Sequence, residues 1–282
     1  SNILNVLLIL GLAALIVPLT VSHQLIRLDV PLMIGVSLLV WLLSLDGNLG
    51  RLDGLLLVAG IIAYTAFSVI KGRQESQGGD EFEQEFGDPG RRGMAWNLGL
   101  IAAGLALLVL GASWLVDGAV MIARYFGISE LIIGLTIVSV GTSLPEIAAS
   151  VVASLRGERD IAVGNVVGSN LFNLLLVLGV TATVAPEGIG VAPAALYFDL
   201  PVMIAVALAC LPIFFTDHRI DRWEGGLFLG YYLAYLVYLL LNSLQHDALG
   251  PFSLAMAGFV LPITVVTLLV LTIRYRRRGP VG

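Results

Sequence analysis

Glu146 follows Pro145 directly, at the end of a run, Gly134-Leu-Thr-Ile-Val-Ser-Val-Gly-Thr-Ser-Leu-Pro-Glu146, that is otherwise fit for lipid. A carboxylate in such a setting is expensive and needs a reason. Pro145 has no amide hydrogen and cannot accommodate the carbonyl of Gly141, four residues earlier, in a regular helix. Backbone carbonyls near Gly141 and Thr142 are thereby aimed off-axis, which is tolerated at membrane depth only inside protein or beside a watery cavity. Together with the carboxylate of Glu146 and the hydroxyls of Thr142 and Ser143, they form an all-oxygen cluster suited to hard cations such as Ca2+ or Na+. The competing account is a plain proline kink whose Glu snorkels out of the lipid or stays protonated, and for an isolated Pro-Glu pair the two are evenly matched.

The next apolar stretch favours the cation reading. It runs Gly164-Asn-Val-Val-Gly-Ser-Asn170-Leu-Phe-Asn173. Ser169 and Asn173 are four residues apart, hence on one helical face, and both present oxygen. Gly164 and Gly168 have the small-xxx-small spacing that lets two helices approach closely.

These groups need helices to carry them. Of 282 residues, 58% are hydrophobic and only 12% charged, against about 25% charged in soluble domains. Mean hydropathy is +0.95. The chain is an all-α integral membrane protein, since barrel strands alternate and would not give such continuous apolar runs. About nine transmembrane helices are predicted, over 2–18, 28–45, 54–70, 97–121, 130–153, 163–185, 197–215, 224–242 and 252–273. The single Cys210 excludes a disulfide framework and a thiolate metal site. His23, His218 and His246 lie in loops with no second ligand at helical spacing, so no zinc site is expected. Membrane lipid is the expected surrounding, no nucleic-acid partner or cofactor is expected, and the absence of HExxH or Ser/His motifs argues against an enzyme.

Residues 71–96 form one polar connector, with Gln74 to Glu85 acidic and free of basic residues, and read as a solvated linker between two halves. Counting Lys and Arg on alternate loops puts thirteen on the side of Lys71 and Arg274 and two, Arg51 and Arg124, on the other. The linker and the C-terminus are therefore expected in the cytoplasm, with the chain in the plasma or inner membrane. An internal repeat then emerges: Ser1, Asn2, Asn5, Gly11 and Pro18 align with Ser169, Asn170, Asn173, Gly179 and Pro186. Asp29, Pro31 and Met33 follow with Asp199, Pro201 and Met203, then Gly54 and Tyr64 with Gly225 and Tyr235. Equivalent segments cross in opposite directions, the signature of a secondary transporter with its site at the repeat interface. Symmetry predicts about two further helices ahead of Ser1, so the chain reads as N-terminally truncated. The expected division is 1–70, the remainder of the first repeat; 71–96, the linker; 97–242, the second repeat; and 252–273, an additional helix. Asp29 and Asp199, each just before a Pro, read as helix N-terminal charges, and Glu130 as first-turn charge.

Residues 111–180, with Gly141-Thr-Ser-Leu-Pro-Glu146 and Gly164-Asn-Val-Val-Gly-Ser-Asn170, resemble the second alpha-repeat of the sodium/calcium exchanger family within the cation/calcium antiporter superfamily. The resemblance implies two inverted five-helix halves and Ca2+/Na+ antiport by alternating access, the alternative being Ca2+/H+ or other cation/proton exchange, with K+ coupling also open. It implies Glu146 as the main Ca2+ ligand of this half, with oxygens from Thr142 and Ser143. Ser169 and Asn173 become Na+ or water ligands, with Ser1 and Asn5 as their mates. It also makes helix 97–121 mobile, its Gly99, Gly104, Gly111 and Gly118 offering a sliding surface.

Overall fold

The computed structural model describes residues 1–76, 94–128, 130–215 and 218–278. Ten helical segments follow one another: α1 (Asn2–Ile16), α2 (Leu25–Leu43), α3 (Arg51–Ser76), α4 (Met94–Tyr125), α5 (130–141), α6 (Leu144–Leu155), α7 (Arg159–Val184), α8 (Ala195–Phe215), α9 (Arg222–Ser243) and α10 (249–278). From 77 to 93 the expected linker lies outside the described residues, and its flanks are helical, since α3 runs to Ser76 and α4 begins at Met94.

Seven of these helices are long and apolar enough to cross a membrane among the described residues. The other two expected spans are modified. α1 is short, and 130–153 is not one helix but two, α5 and α6, parted at Thr142 and Ser143. Local π-helical turns open at Asn5 in α1 and Asn173 in α7, and again at Leu25 and Ala195 where α2 and α8 begin. Such bulges recur at functional sites because they re-aim side chains without ending the helix.

Four two-residue strands join the halves. β1 (Leu19–Thr20) pairs antiparallel with β4 (Arg219–Ile220), and β2 (Asn48–Leu49) with β3 (Ile189–Gly190). Each clasp ties the end of one central helix to the start of a helix from the opposite half. The helix starts match as well: the Gly50 amide donates to Asp53 Oδ2 at 2.8 Å, and the Asp221 amide to Glu224 Oε2 at 2.8 Å.

α1 and α7 form the centre, with Ile9, Leu10, Val163, Val166 and Leu171 fully buried. Against them lie α9 and α3 in a reciprocal arrangement that glycine makes possible. A Cβ on Gly54 would come 2.6 Å from Gly179 O, and one on Gly225 2.8 Å from Gly11 O. No side chain fits between backbones at that separation. Gly164 and Gly168, by contrast, meet nothing within 4 Å, so their expected packing role gives way to an open surface. Gly99, Gly104, Gly111 and Gly118 of α4 also meet nothing within 4 Å. α4 and α10 sit outermost, and neither buries any residue of its most apolar window.

Candidate cation site

The break in 130–155 is a helix boundary, not a kink. Ser143 stands at the N-cap of α6 with φ −103° and ψ 9°, and Pro145 occupies the first turn, where its missing N–H costs nothing. Ile147 N donates to Ser143 O at 3.0 Å, starting the new helix. Glu146 thus sits in a first turn, where the helix dipole favours a carboxylate. Gly141 is pressed so close to α4 that a Cβ there would overlap Val116 Cγ2.

Glu146, Asn165, Ser169 and Asn173 line a cavity of about 400 Å3, together with Tyr64 and Thr65 of α3. Gly164 and Gly168 leave its floor open. Asn165 holds α6 to α7, its Nδ2 donating to Ser150 Oγ at 2.8 Å and to Glu146 O at 3.3 Å. The carboxylate is left uncommitted: Glu146 Oε2 is buried with no hydrogen-bond partner. In an apolar setting such an oxygen calls for a cation or a donor.

Beside this cavity the start of α1 crosses the middle of α7 through four asparagines. Asn5 Nδ2 donates to Asn170 Oδ1 at 2.9 Å, and its repeat mate, Asn173 Nδ2, donates to Asn2 Oδ1 at 3.1 Å. Asn2 Nδ2 reaches Asn170 O at 3.4 Å, and Asn170 Nδ2 reaches Asn2 O at 3.5 Å. The sulfurs repeat the pattern, Asn2 with Met203 at 3.7 Å and Asn170 with Met33 at 3.4 Å. Every contact has its counterpart under exchange of the two halves, so a local two-fold axis passes between Asn2 and Asn170. Their lattice occupies the amide ends of Asn5 and Asn173 and leaves carbonyl oxygens over, and Asn5 Oδ1 is buried with no partner. Ser1 Oγ lies 3.3 Å from Ser143 Oγ and joins the start of α1 to the α5–α6 break.

Of the residues singled out from sequence, the structure gathers Glu146, Ser169 and Asn173 on one cavity, and Ser1, Ser143 and Asn5 on the adjoining crossing. Thr142 is exposed and is not on the cavity wall. Asn165 and Asn170 were read within the motif but not as ligands, and Asn2, Tyr64 and Thr65 were not anticipated. The signal for Asn2, Asn170 and Tyr64 was present, because each is a matched position of the repeat. Asp29 and Asp199 also need correction: neither caps a helix, and each accepts a tyrosine hydroxyl, from Tyr64 at 3.0 Å and Tyr235 at 2.8 Å. Glu130, expected as first-turn charge, does stand in the first turn and also pairs with Arg124 Nε at 2.6 Å.

The described residues hold no group of three or more His, Cys, Asp or Glu able to grip a transition metal. What they hold is one carboxylate among neutral amide and hydroxyl oxygens, a donor set for hard cations bound reversibly. Opposed helical halves that cross at such a set define a secondary transporter of the inverted-repeat class, an all-α integral membrane protein.

The chain belongs to the sodium/calcium exchanger protein family, whose pattern matches residues 1–70 and 96–241. It is 41% identical over 251 residues to CaxA of Alkalimonas amylolytica, covering 86% of this chain and 76% of that protein. Over 147 residues it is 40% identical to the sodium/calcium exchanger MaX1 of Methanosarcina acetivorans, covering 52% of this chain and 41% of that one. A solved structure of the sodium-calcium exchanger NCX_Mj superposes with a TM-score of 0.68 at 29% identity, covering 85% of this chain and 74% of that chain.

Proposed function

We propose that the protein exchanges Ca2+ for Na+ across a membrane by alternating access. The observation that carries this is the pair of buried, unpartnered oxygens, Glu146 Oε2 and Asn5 Oδ1, at the crossing of two inverted halves. Oxygens without a hydrogen-bond donor in an apolar bundle are stabilised by a cation, and their position at the repeat interface is where transporters of this class bind cargo. Family membership and the likeness to exchangers that carry Na+ and Ca2+ in their names support the choice of ions.

In this reading Glu146 neutralises the divalent ion, while Ser143, Ser169 and Asn173 supply oxygens from the second repeat and Ser1 and Asn5 from the first. Thr142 contributes through its backbone. The functional halves are 1–70 and 97–242, joined by the linker 71–96, and 252–273 is an addition to them. The excess of basic residues beside Lys71 and Arg274 supports a cytoplasmic linker and C-terminus in a plasma or inner membrane. α4 touches the rest of the bundle mainly through α5 and α6, so its displacement against them would open or shut the path to Glu146.

The test is radiolabelled Ca2+ uptake into vesicles carrying the full-length protein, driven by an outward Na+ gradient and, separately, by a pH gradient. Na+-driven uptake is expected and is lost in Glu146→Ala. Uptake that ignores Na+ and follows the pH gradient would replace this reading with proton exchange.

A further inference from the structure

α10 lies beyond the residues 1–70 and 96–241 that match the exchanger family, and it buries no residue of its most apolar window. Tyr231 of α9 ties it to the bundle by donating to Thr264 Oγ1 at 2.5 Å. Around that tie the helices do not close. Between α8, α9 and α10 runs a groove of about 490 Å3, walled by Val206, Phe228 and Leu261, that reaches Leu7, a buried residue of the central α1.

The groove is long and narrow. Its lining extends from Phe198 to Ile213 on α8 and from Phe252 to Val265 on α10. At 1.5 Å of rise per residue these are stretches of about 20 Å, a large part of the ~30 Å depth of bilayer hydrocarbon. The volume spread over that length leaves about 25 Å2 in cross-section. That is the girth of one polymethylene chain, and it is too narrow for a helix, about 10–12 Å across with its side chains. Among the described residues the lining holds hydroxyls but no charged side chain. Apolar space of this kind does not hold water, and left empty it deprives its walls of contacts. In a membrane the apolar molecule at hand is lipid.

The two ends of the groove differ in charge. At one end Trp223 is half-exposed one turn before Leu227, and tryptophan marks the membrane–water interface. Arg219, Arg222 and the four arginines of Arg274-Tyr-Arg-Arg-Arg278 stand at that end against Asp217, Asp221 and Glu224. A basic cluster directly after a span attracts anionic headgroups. At the other end, beyond Phe198, Tyr238 and Phe252, the connections 185–194 and 244–248 carry Glu187 and Asp247 and neither Lys nor Arg.

We propose that the groove holds an acyl chain of one anionic phospholipid, with its headgroup at the arginine end, and that this lipid packs α10 onto the bundle. The site is separate from the ion cavity and does not rest on which ions are exchanged.

The experiment follows the purified full chain in detergent by native mass spectrometry and thermal unfolding, with phosphatidylglycerol or phosphatidylcholine added, beside Ala205→Phe and Ala257→Phe. Both alanines are exposed lining residues, one on α8 and one on α10, so the new ring enters the groove and not the packed core. The expected result is one phosphatidylglycerol retained per chain, at least tenfold more tightly than phosphatidylcholine, with a rise in unfolding temperature. Either variant is expected to weaken retention at least tenfold. Equal retention by the parent and both variants overturns the groove as the site, and equal retention of the two lipids, or of neither, overturns the anionic phospholipid. A dimer that either phenylalanine separates while lipid retention stays unchanged would assign the groove to a second copy. One readout needs no variant: phosphatidylglycerol with a photoreactive acyl chain is expected to label 198–213 and 252–265. Labelling spread evenly over all the helices overturns the proposal.

Discussion

The Asp29–Tyr64 and Asp199–Tyr235 pairs occupy matching places in the two halves and form the same hydrogen bond, at 3.0 and 2.8 Å, yet they border different surroundings. Tyr64 lines the polar cavity that holds Glu146. Tyr235 lines an apolar groove of about 490 Å3 between α8, α9 and α10, where Phe198 stacks on Tyr238 with centroids 4.0 Å apart. Tyr231 fastens α10 to this side by donating to Thr264 Oγ1 at 2.5 Å. The repeated bond persists because a carboxylate in an apolar bundle is costly without a donor. The surroundings differ: α6, with its carboxylate, stands beside one copy, and the apolar α10 beside the other.

The largest effect that would break this comparison is on cargo. Glu146→Gln is expected to reduce Na+-driven Ca2+ uptake to background while the thermal midpoint holds or rises, since a buried unpaired carboxylate is removed. A fall in the midpoint together with activity would mark Glu146 as structural. Next comes the backbone contact between α3 and α7. In Gly54→Ala the new methyl would lie 2.5 Å from Thr183 Oγ1 and 2.6 Å from Gly179 O, for a loss of about 1–3 kcal/mol in unfolding measurements. Gly164→Ala, with nothing within 4 Å, is expected to keep stability and to weaken uptake by intruding on the cavity.

Asn170→Ala removes the acceptor for Asn5 and a donor to Asn2, and is expected to cost about 0.6–2 kcal/mol and to raise the KM for Ca2+. An unchanged KM would reduce the asparagine crossing to packing. Tyr64→Phe and Tyr235→Phe sharpen the contrast further. Both are expected to lose similar stability, about 0.5–2 kcal/mol, and only Tyr64→Phe to shift the KM. Equal shifts in both would show that position in the fold, not the local cavity, sets the effect.

The smallest effect is at Glu130. Its carboxylate pairs with the Arg124 guanidinium at 2.6 Å at the end of α4. Both side chains are largely exposed, and an exposed ion pair contributes little to stability. Glu130→Gln is expected to leave the thermal midpoint at pH 7 and the uptake rate unmoved.

Much of this was legible before folding. The apolar runs, the loop charges and the spacing from Ser1 to Ser169 are properties of the chain read along its length, and each survives errors of a few residues. The Pro145-Glu146 motif was legible because covalent chemistry forbids a regular helix there. Whether the proline kinks the helix or starts a new one stayed open, and only the Ser143 backbone decides. The spacing of Gly164 and Gly168 left their role open, since a small residue serves either a close approach or an open cavity, and spacing does not distinguish them.

By itself the sequence determined a helical membrane protein with an inverted repeat and an acidic residue at its interface, because hydropathy, charge bias and repetition act locally and add up along the chain. Tertiary structure decided which oxygens remain unpartnered. It alone brought Asn2 to Asn170, 168 residues apart, Ser1 to Ser143, and His23 to His218. Those meetings depend on how one half docks on the other, a relation set by the Gly11–Gly225 and Gly54–Gly179 backbone contacts and by the strand clasps, and no local pattern encodes it.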